Sequence, residues 1–180
     1  RLYRLVNEKC EEDPEVLESA RQELSKLQDG DSENLSIWKK MIELSQNQFD
    51  EIYSRMGVTF DETLGESHYN DRLKPLADEM ESLGIAQRSD GALLVFFPEN
   101  NELKDHPAMV QKSDGAANYT TTDLATLEYR AQRWTPDEVI YVTDGRQQLH
   151  FKQLFAAYRA WKPESDRKRV HTWFGSILGK

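Results

Sequence analysis

Between Val139 and Phe151 an apolar run, Val139-Ile140-Tyr141-Val142-Thr143, stops at Asp144-Gly145 and gives way to a helical pattern opening with Gln147, Gln148 and His150. A short apolar run that ends at a turn signal reads as a buried strand, and the change to helical spacing after a glycine marks a strand-to-helix unit. Such units build open α/β sheets, whose ligands sit beyond the carboxyl ends of the strands. Upstream, Ser113-Asp114-Gly115-Ala116-Ala117-Asn118-Tyr119-Thr120-Thr121-Thr122-Asp123 supplies a second turn that leads into an acidic helix start. Together the two stretches predict a polar crevice in the second half of the chain.

The remaining elements follow from periodicity. Val16, Leu17, Ala20, Leu24 and Leu27 recur at helical spacing from Asp13-Pro14, with Gly30 as the stop. After a cap at Asp31-Ser32, Leu35, Trp38, Met41, Ile42, Leu44, Phe49, Ile52, Tyr53 and Met56 repeat at threes and fours up to Gly57. Joined by Gln28-Asp29-Gly30-Asp31, these two helices predict an antiparallel hairpin that buries Trp38 and Phe49. Residues 1–57 are therefore expected to form a helical appendage, and 58–180 the sheet-containing part. Within the latter, the sequence predicts a strand over 58–64 and a helix over 69–83 that Pro75 would kink. Strands follow over 85–88 and 92–97, joined by Asp90-Gly91, with a weaker one over 109–112. A helix over 123–134, a strand over 139–143 and a helix over 147–161 complete a pattern that favours a parallel sheet.

Composition narrows the function. At 38% hydrophobic and 31% charged residues the chain reads as globular with solvated helix surfaces, and its net charge of −9 argues against a broad nucleic-acid face. The local exception is the cluster Lys162, Arg167, Lys168, Arg169 and His171. Cys10 is the one cysteine, which excludes an intrachain disulfide and a cysteine zinc site and suits a reducing cytoplasm. His68, His106 and His171 lack metal-ligand spacing, so no metal site is expected. No apolar stretch approaches the roughly 20 residues that cross a bilayer. Neither a phosphate-binding glycine loop nor a Gly-x-Ser-x-Gly elbow occurs. The start at Arg1-Leu2-Tyr3 without Met points to a chain cut from something longer.

Each candidate residue has two readings. Tyr119 and Asp123 share one side of a helix if that turn is already helical, and a carboxylate beside a phenol would receive the donor fork of a planar guanidinium. Alternatively, Asp123 caps its helix and Tyr119 packs. Gly145 at a strand end would let a ligand approach the backbone, and Gln147 at a helix start would meet polar groups. His150 faces the same crevice or is a satisfied surface or core residue. Glu66 ends a strand at the crevice edge, or is solvated beside a capping Ser67.

Several stretches resemble arginyl-tRNA synthetase, a class I aminoacyl-tRNA synthetase. They include Leu64-Gly65-Glu66-Ser67-His68-Tyr69, Lys112-Ser113-Asp114-Gly115 through Asp123-Leu124-Ala125, and Tyr141-Val142 through Gln147, His150 and Phe151. Leu27 to Asp31, Ile37-Trp38-Lys39 and Val58-Thr59-Phe60-Asp61 resemble the family's helical insertion, and Phe174 to Lys180 the run before its Lys-Met-Ser-Lys-Ser-type loop. The resemblance implies an α/β fold, half of a Rossmann-like catalytic domain carrying a helical hairpin insertion. It implies that Tyr119, Asp123 and Gln147 contact arginine, that Gly145 and His150 border the adenosine of ATP, and that Glu66 lies at the site edge. The substrates implied are arginine, ATP with Mg as its counterion, and tRNA(Arg), the last held mainly by parts outside this sequence.

Both family motifs that grip ATP, the His-Ile-Gly-His type and the Lys-Met-Ser-Lys-Ser type, are absent from the sequence, and Thr122 stands where an Arg often precedes the Asp. The chain alone is therefore expected to form arginyl-adenylate at no useful rate. Two alternatives are a non-catalytic module of this fold that senses arginine or docks a partner, and a generic nucleotide-binding domain without preference for guanidinium.

Overall fold

Helical spacing accounts for most of the first 56 residues. A computed structural model of the chain describes residues 2–28, 30–165 and 167–175, with backbone alone for Gln28. The chain divides into two units, residues 1–63 and 64–180.

The first unit contains α1 (Leu2–Glu12), α2 (Pro14–Gln28) and α3 (Ser32–Met56). Sequence periodicity begins the helices at Pro14 and misses α1. The break falls at Asp13, whose Oδ1 accepts the Glu15 amide at 2.8 Å, and Pro14 takes the first helical position, where its missing N–H costs nothing. Asp31 caps α3 as expected, accepting from the Glu33 and Asn34 amides. Asn34 Nδ2 in turn donates to the Glu23 carbonyl and carboxylate at 3.0 Å each, tying α3 to α2. The linking residue Asp29 lies outside the described residues. Phe49 is not buried as expected but half exposed, and no described residue of these helices is fully buried.

The strand expected over 58–64 does not form. Gly57, with φ 67°, ends α3 in the left-handed conformation; its amide bonds the Ser54 carbonyl, and the Val58 amide bonds that of Tyr53. Phe60 then folds back against Tyr53, ring centroids 4.7 Å apart. Residues with strand propensity are thus used to cap a helix.

The second unit starts with a single 3-10 turn, Glu66–Tyr69, running into α4 (Asn70–Ser82), which passes through Pro75 without interruption. Next come β1 (Gln87–Ser89), β2 (Ala92–Val95) and β3 (Ala108–Gln111), an antiparallel sheet in the order β1-β2-β3. Asp90 and Gly91 join the first two with φ of 49° and 81°, the paired positive values of a tight hairpin turn. Then follow α5 (Tyr119–Trp134), β4 (Glu138–Asp144), α6 (Gln148–Trp161) and β5 (Lys168–Phe174), with β5 parallel to β4 from Glu138↔Lys168 to Asp144↔Phe174. The expected parallel pairing is found in this second, separate sheet.

Two expectations change here. β4 is not a buried strand: Tyr141 packs against Phe151 and Phe155, while Ile140 and Val142, on the other face, are exposed. The basic cluster near the end is consumed internally. Lys168 pairs with Glu138 at 2.7 Å, Arg167 donates to the Ala131 carbonyl at 2.9 Å, Arg169 to Ser165, and His171 bonds Thr143. Residues 176–180, which carry most of the run resembling the family's loop approach, lie outside the described residues.

The core of this unit joins Leu76 and Met80 of α4, Leu93, Val95 and Val110 of the antiparallel sheet, Leu124 and Leu127 of α5, and Leu154 and Trp161 of α6. At its edge a charge cluster ties the three helices. Arg72 bonds Glu128 through two nitrogens, at 2.6 and 2.9 Å, and Glu79 at 2.6 Å. Glu79 also accepts from Trp161 Nε1 at 2.9 Å and Lys162 at 3.1 Å. Burial alone would push the Glu79 carboxyl up, but the bonds from Arg72, Trp161 and Lys162 outweigh it and hold the group at about 2. A carboxyl held below its unfolded value of 4.5 stabilises the fold above that pH, and this contribution is lost as pH falls from there toward about 2. Urea titrations across this window are expected to show falling stability, and Glu79→Gln to flatten that fall.

Candidate functional site

α5 starts four residues earlier than Asp123, which removes the reading of that residue as the helix cap. Its cap is Asn118, whose Oδ1 accepts the Thr120 amide at 2.8 Å, while Thr121 Oγ1 accepts the Asn118 amide at 3.3 Å. Thr121 is fully buried and also donates to the Val110 carbonyl, anchoring the start of α5 to β3. Asp123 is therefore not the cap. It lies one turn inside the helix on the same side as Tyr119, and its Oδ2 meets His150 Nε2 of α6 at 2.6 Å. The Tyr119 ring stands edge-on to the His150 ring with centroids 4.8 Å apart.

Glu66, Tyr119, Asp123, Gln147 and His150 line one cavity of about 500 Å³. The 3-10 turn supplies Glu66, α5 supplies Tyr119 and Asp123, and α6 supplies His150. Gln147 comes from the 3-10 turn Gly145–Gln147 that links β4 to α6. Tyr141, Thr143, Arg146 and Phe151 complete the lining. Of these, Tyr141 and Thr143 escaped sequence reasoning, although their two-residue spacing on a strand was a legible signal that both face one way.

Gly145 does not line the cavity. A Cβ there would come within 3.1 Å of the Trp173 ring of β5, so the glycine admits a neighbouring side chain where a ligand's close approach was expected.

The cavity carries more acid than base on its lining. Two carboxylates, Glu66 and Asp123, line it against one guanidinium, and Arg146 is folded back onto Asp144 with Nε–Oδ1 2.9 Å and Nη2–Oδ2 3.1 Å. Burial pushes the Tyr141 phenol up, with Asp123 acting in the same direction against the opposing Arg130, so the group remains a neutral hydroxyl at neutral pH. Two other hollows, of about 320 and 350 Å³, share Glu128 and Gln132. Glu128 is already held there by Arg72 and by Lys162 at 3.7 Å.

A model of the family described as tRNA synthetases class I (R), catalytic domain, matches residues 1–180. The chain belongs to this family. The arginine–tRNA ligase of Rhodopirellula baltica is 44% identical over 178 residues, covering 99% of this chain and 25% of that protein. The Fusobacterium nucleatum ligase is 41% identical, with 98% and 30% covered. The chain thus spans about a quarter to a third of the length of these relatives. A crystal structure of arginyl-tRNA synthetase from Plasmodium falciparum superposes with a TM-score of 0.78 at 28% identity, over 93% of this chain and 29% of that one. The fold is thus the mixed helix and sheet arrangement of a class I synthetase catalytic domain. Among the described residues no helix of this synthetase domain is long and apolar enough to cross a membrane.

Proposed function

We propose that the chain forms the arginine-binding side of the active site of an arginine–tRNA ligase. The observation that carries this reading is the position of Asp123. Its carboxylate lies on the wall of a cavity of about 500 Å³, flanked by the Tyr119 ring and with Gln147 on the same lining. A carboxylate has about four lone-pair sites, so the bond from His150, its one hydrogen-bond partner among the described residues, leaves room for a guanidinium to bind in a forked manner. A phenol and an amide beside it supply an apolar face and further polar groups.

In the complete reaction an arginine carboxylate oxygen attacks the α-phosphorus of ATP. A P–O bond forms, the bond to the bridging oxygen breaks, and pyrophosphate leaves; a hydroxyl of the terminal ribose of tRNA(Arg) then attacks the arginyl carbonyl, the bond to the phosphate oxygen breaks, and AMP leaves. Catalysis of this kind rests on positioning and charge stabilisation. On this reading Gly145 and His150 would border the adenosine, and Mg would be the counterion of ATP. Of these two residues, His150 lines the cavity, and a side chain at Gly145 would run into Trp173. The chain supplies arginine recognition and leaves the remaining ATP and tRNA contacts to other segments of such a ligase. Calorimetric titration is expected to show L-arginine binding at least about tenfold more tightly than L-lysine, because the ammonium of lysine cannot make the forked contact. Equal affinities, or no binding of either, would overturn the reading.

A further inference from the structure

His150 stands in an arrangement that the family likeness does not explain. A residue that only borders adenosine has no need to hold the amino acid's carboxylate partner. Yet His150 Nε2 lies 2.6 Å from Asp123 Oδ2, with its side chain only 12% exposed. The other ring nitrogen, Nδ1, is buried and has no hydrogen-bond partner among the described residues. A carboxylate only accepts, so the tautomer that serves this contact carries its proton on Nε2 and donates to Asp123. Tyr119 and Phe151 hold the imidazole plane, with ring centroids 4.8 and 5.1 Å away. Among the described residues Asp123 Oδ1 takes no such bond. One oxygen of the carboxylate is therefore fixed from α6 and the other is left open.

We infer that His150 is a positioning residue for arginine specificity: its Nε2–H locks the Asp123 carboxylate in the orientation that receives a guanidinium. This rests on the proposed arginine site and extends it. A freely rotating carboxylate would attract any cation, whereas one held at one oxygen presents a fixed plane to a planar fork. Specificity for guanidinium over ammonium then depends on a bond between two helices, and not on Asp123 alone.

Two substitutions separate this role from packing. His150→Phe keeps the ring between Tyr119 and Phe151 and removes the donor. His150→Gln loses the ring but places an amide N–H near the position of Nε2. Arginine and lysine are titrated calorimetrically, without ATP, into the 180-residue chain and both variants. The expected result is that His150→Phe weakens arginine binding about tenfold while changing lysine binding little, and that His150→Gln restores most of the arginine preference. The opposite pattern, with Phe tolerated and Gln not, would reduce His150 to a packing residue and overturn the inference. So would unchanged arginine binding in both variants, which would place any role of His150 with the nucleotide. If the unsubstituted chain shows no preference for arginine, the proposed function itself falls and takes this inference with it. Folding of each variant is read independently by near-UV circular dichroism. Should neither variant fold, the imidazole ¹⁵N resonances of the unsubstituted chain decide: an Nε2–H signature that shifts on addition of arginine supports the lock, and one indifferent to arginine refutes it.

Discussion

Replacing Asp123 by Asn is expected to weaken arginine binding by about a hundredfold while leaving the fold intact. The substitution preserves size, and the amide oxygen still accepts the Nε2–H of His150, so the contact between α5 and α6 at 2.6 Å survives in kind. What disappears is the negative charge opposite the ligand. In a partly enclosed cavity the loss of one partner of a hydrogen-bonded charge pair costs about 2–5 kcal/mol, since the remaining charge has already given up its water. Arginine titrations and thermal melts of the variant separate the two effects. An affinity within threefold of the original would show that the guanidinium binds elsewhere.

The second large effect concerns stability. Arg72→Met is expected to destabilise the unit spanning residues 64–180 by about 2 kcal/mol, because breaking a partly buried ion network leaves its remaining charges uncompensated. Without Arg72, Glu79 and Glu128 retain Lys162, at 3.1 and 3.7 Å, as their one cation among the described residues. Glu128 is nearly buried, and a carboxylate there without its two-bonded guanidinium is the costliest element. The double replacement Arg72→Met with Glu128→Met is expected to recover most of the loss, as apolar groups of similar volume often substitute for such a pair. Urea unfolding at pH 7 measures both. A single substitution costing less than about 0.5 kcal/mol would mean that the cluster behaves as a solvated surface feature.

These two predictions draw on features of very different legibility. The crevice was readable because its parts are local: the apolar run ending at Gly145, the four-residue spacing of Tyr119 and Asp123, and the helix carrying His150 each follow a period within about a dozen residues. The caps at Asp31 and Gly57 and the hairpin at Asp90-Gly91 were legible for the same reason. The Arg72 cluster was not, because Arg72 and Glu128 are 56 residues apart and Glu79 and Trp161 are 82 apart. Charged residues on a helix look alike whether they face water or a buried partner. β5 was hidden behind its basic residues Lys168 and Arg169, whose partners Glu138 and Ser165 turn a charged cluster into a paired strand edge. The stretch from Val58 failed in the other direction. Its apolar, β-branched residues have strand propensity, yet propensity cannot reveal that Phe60 has Tyr53 to pack against and no strand to pair with.

The pairing of Asp123 with His150 was also beyond local reasoning. Sequence spacing placed both at one crevice, but which carboxylate oxygen is held, and from which helix, depends on how α5 and α6 pack. That packing is set by Leu124 and Leu127 on one helix and Leu154 and Trp161 on the other. The polar side chains of the site thus inherit their positions from a core to which the cavity wall contributes Tyr141 and Phe151.

Where arginine sits decides the role of Asp123. A crystal structure of the chain grown with L-arginine is the most direct measurement. The guanidinium is expected within about 3.2 Å of the Asp123 carboxylate, against the Tyr119 ring and near Gln147. Arginine bound away from Asp123, or absent from this cavity at saturating concentration, would contradict it.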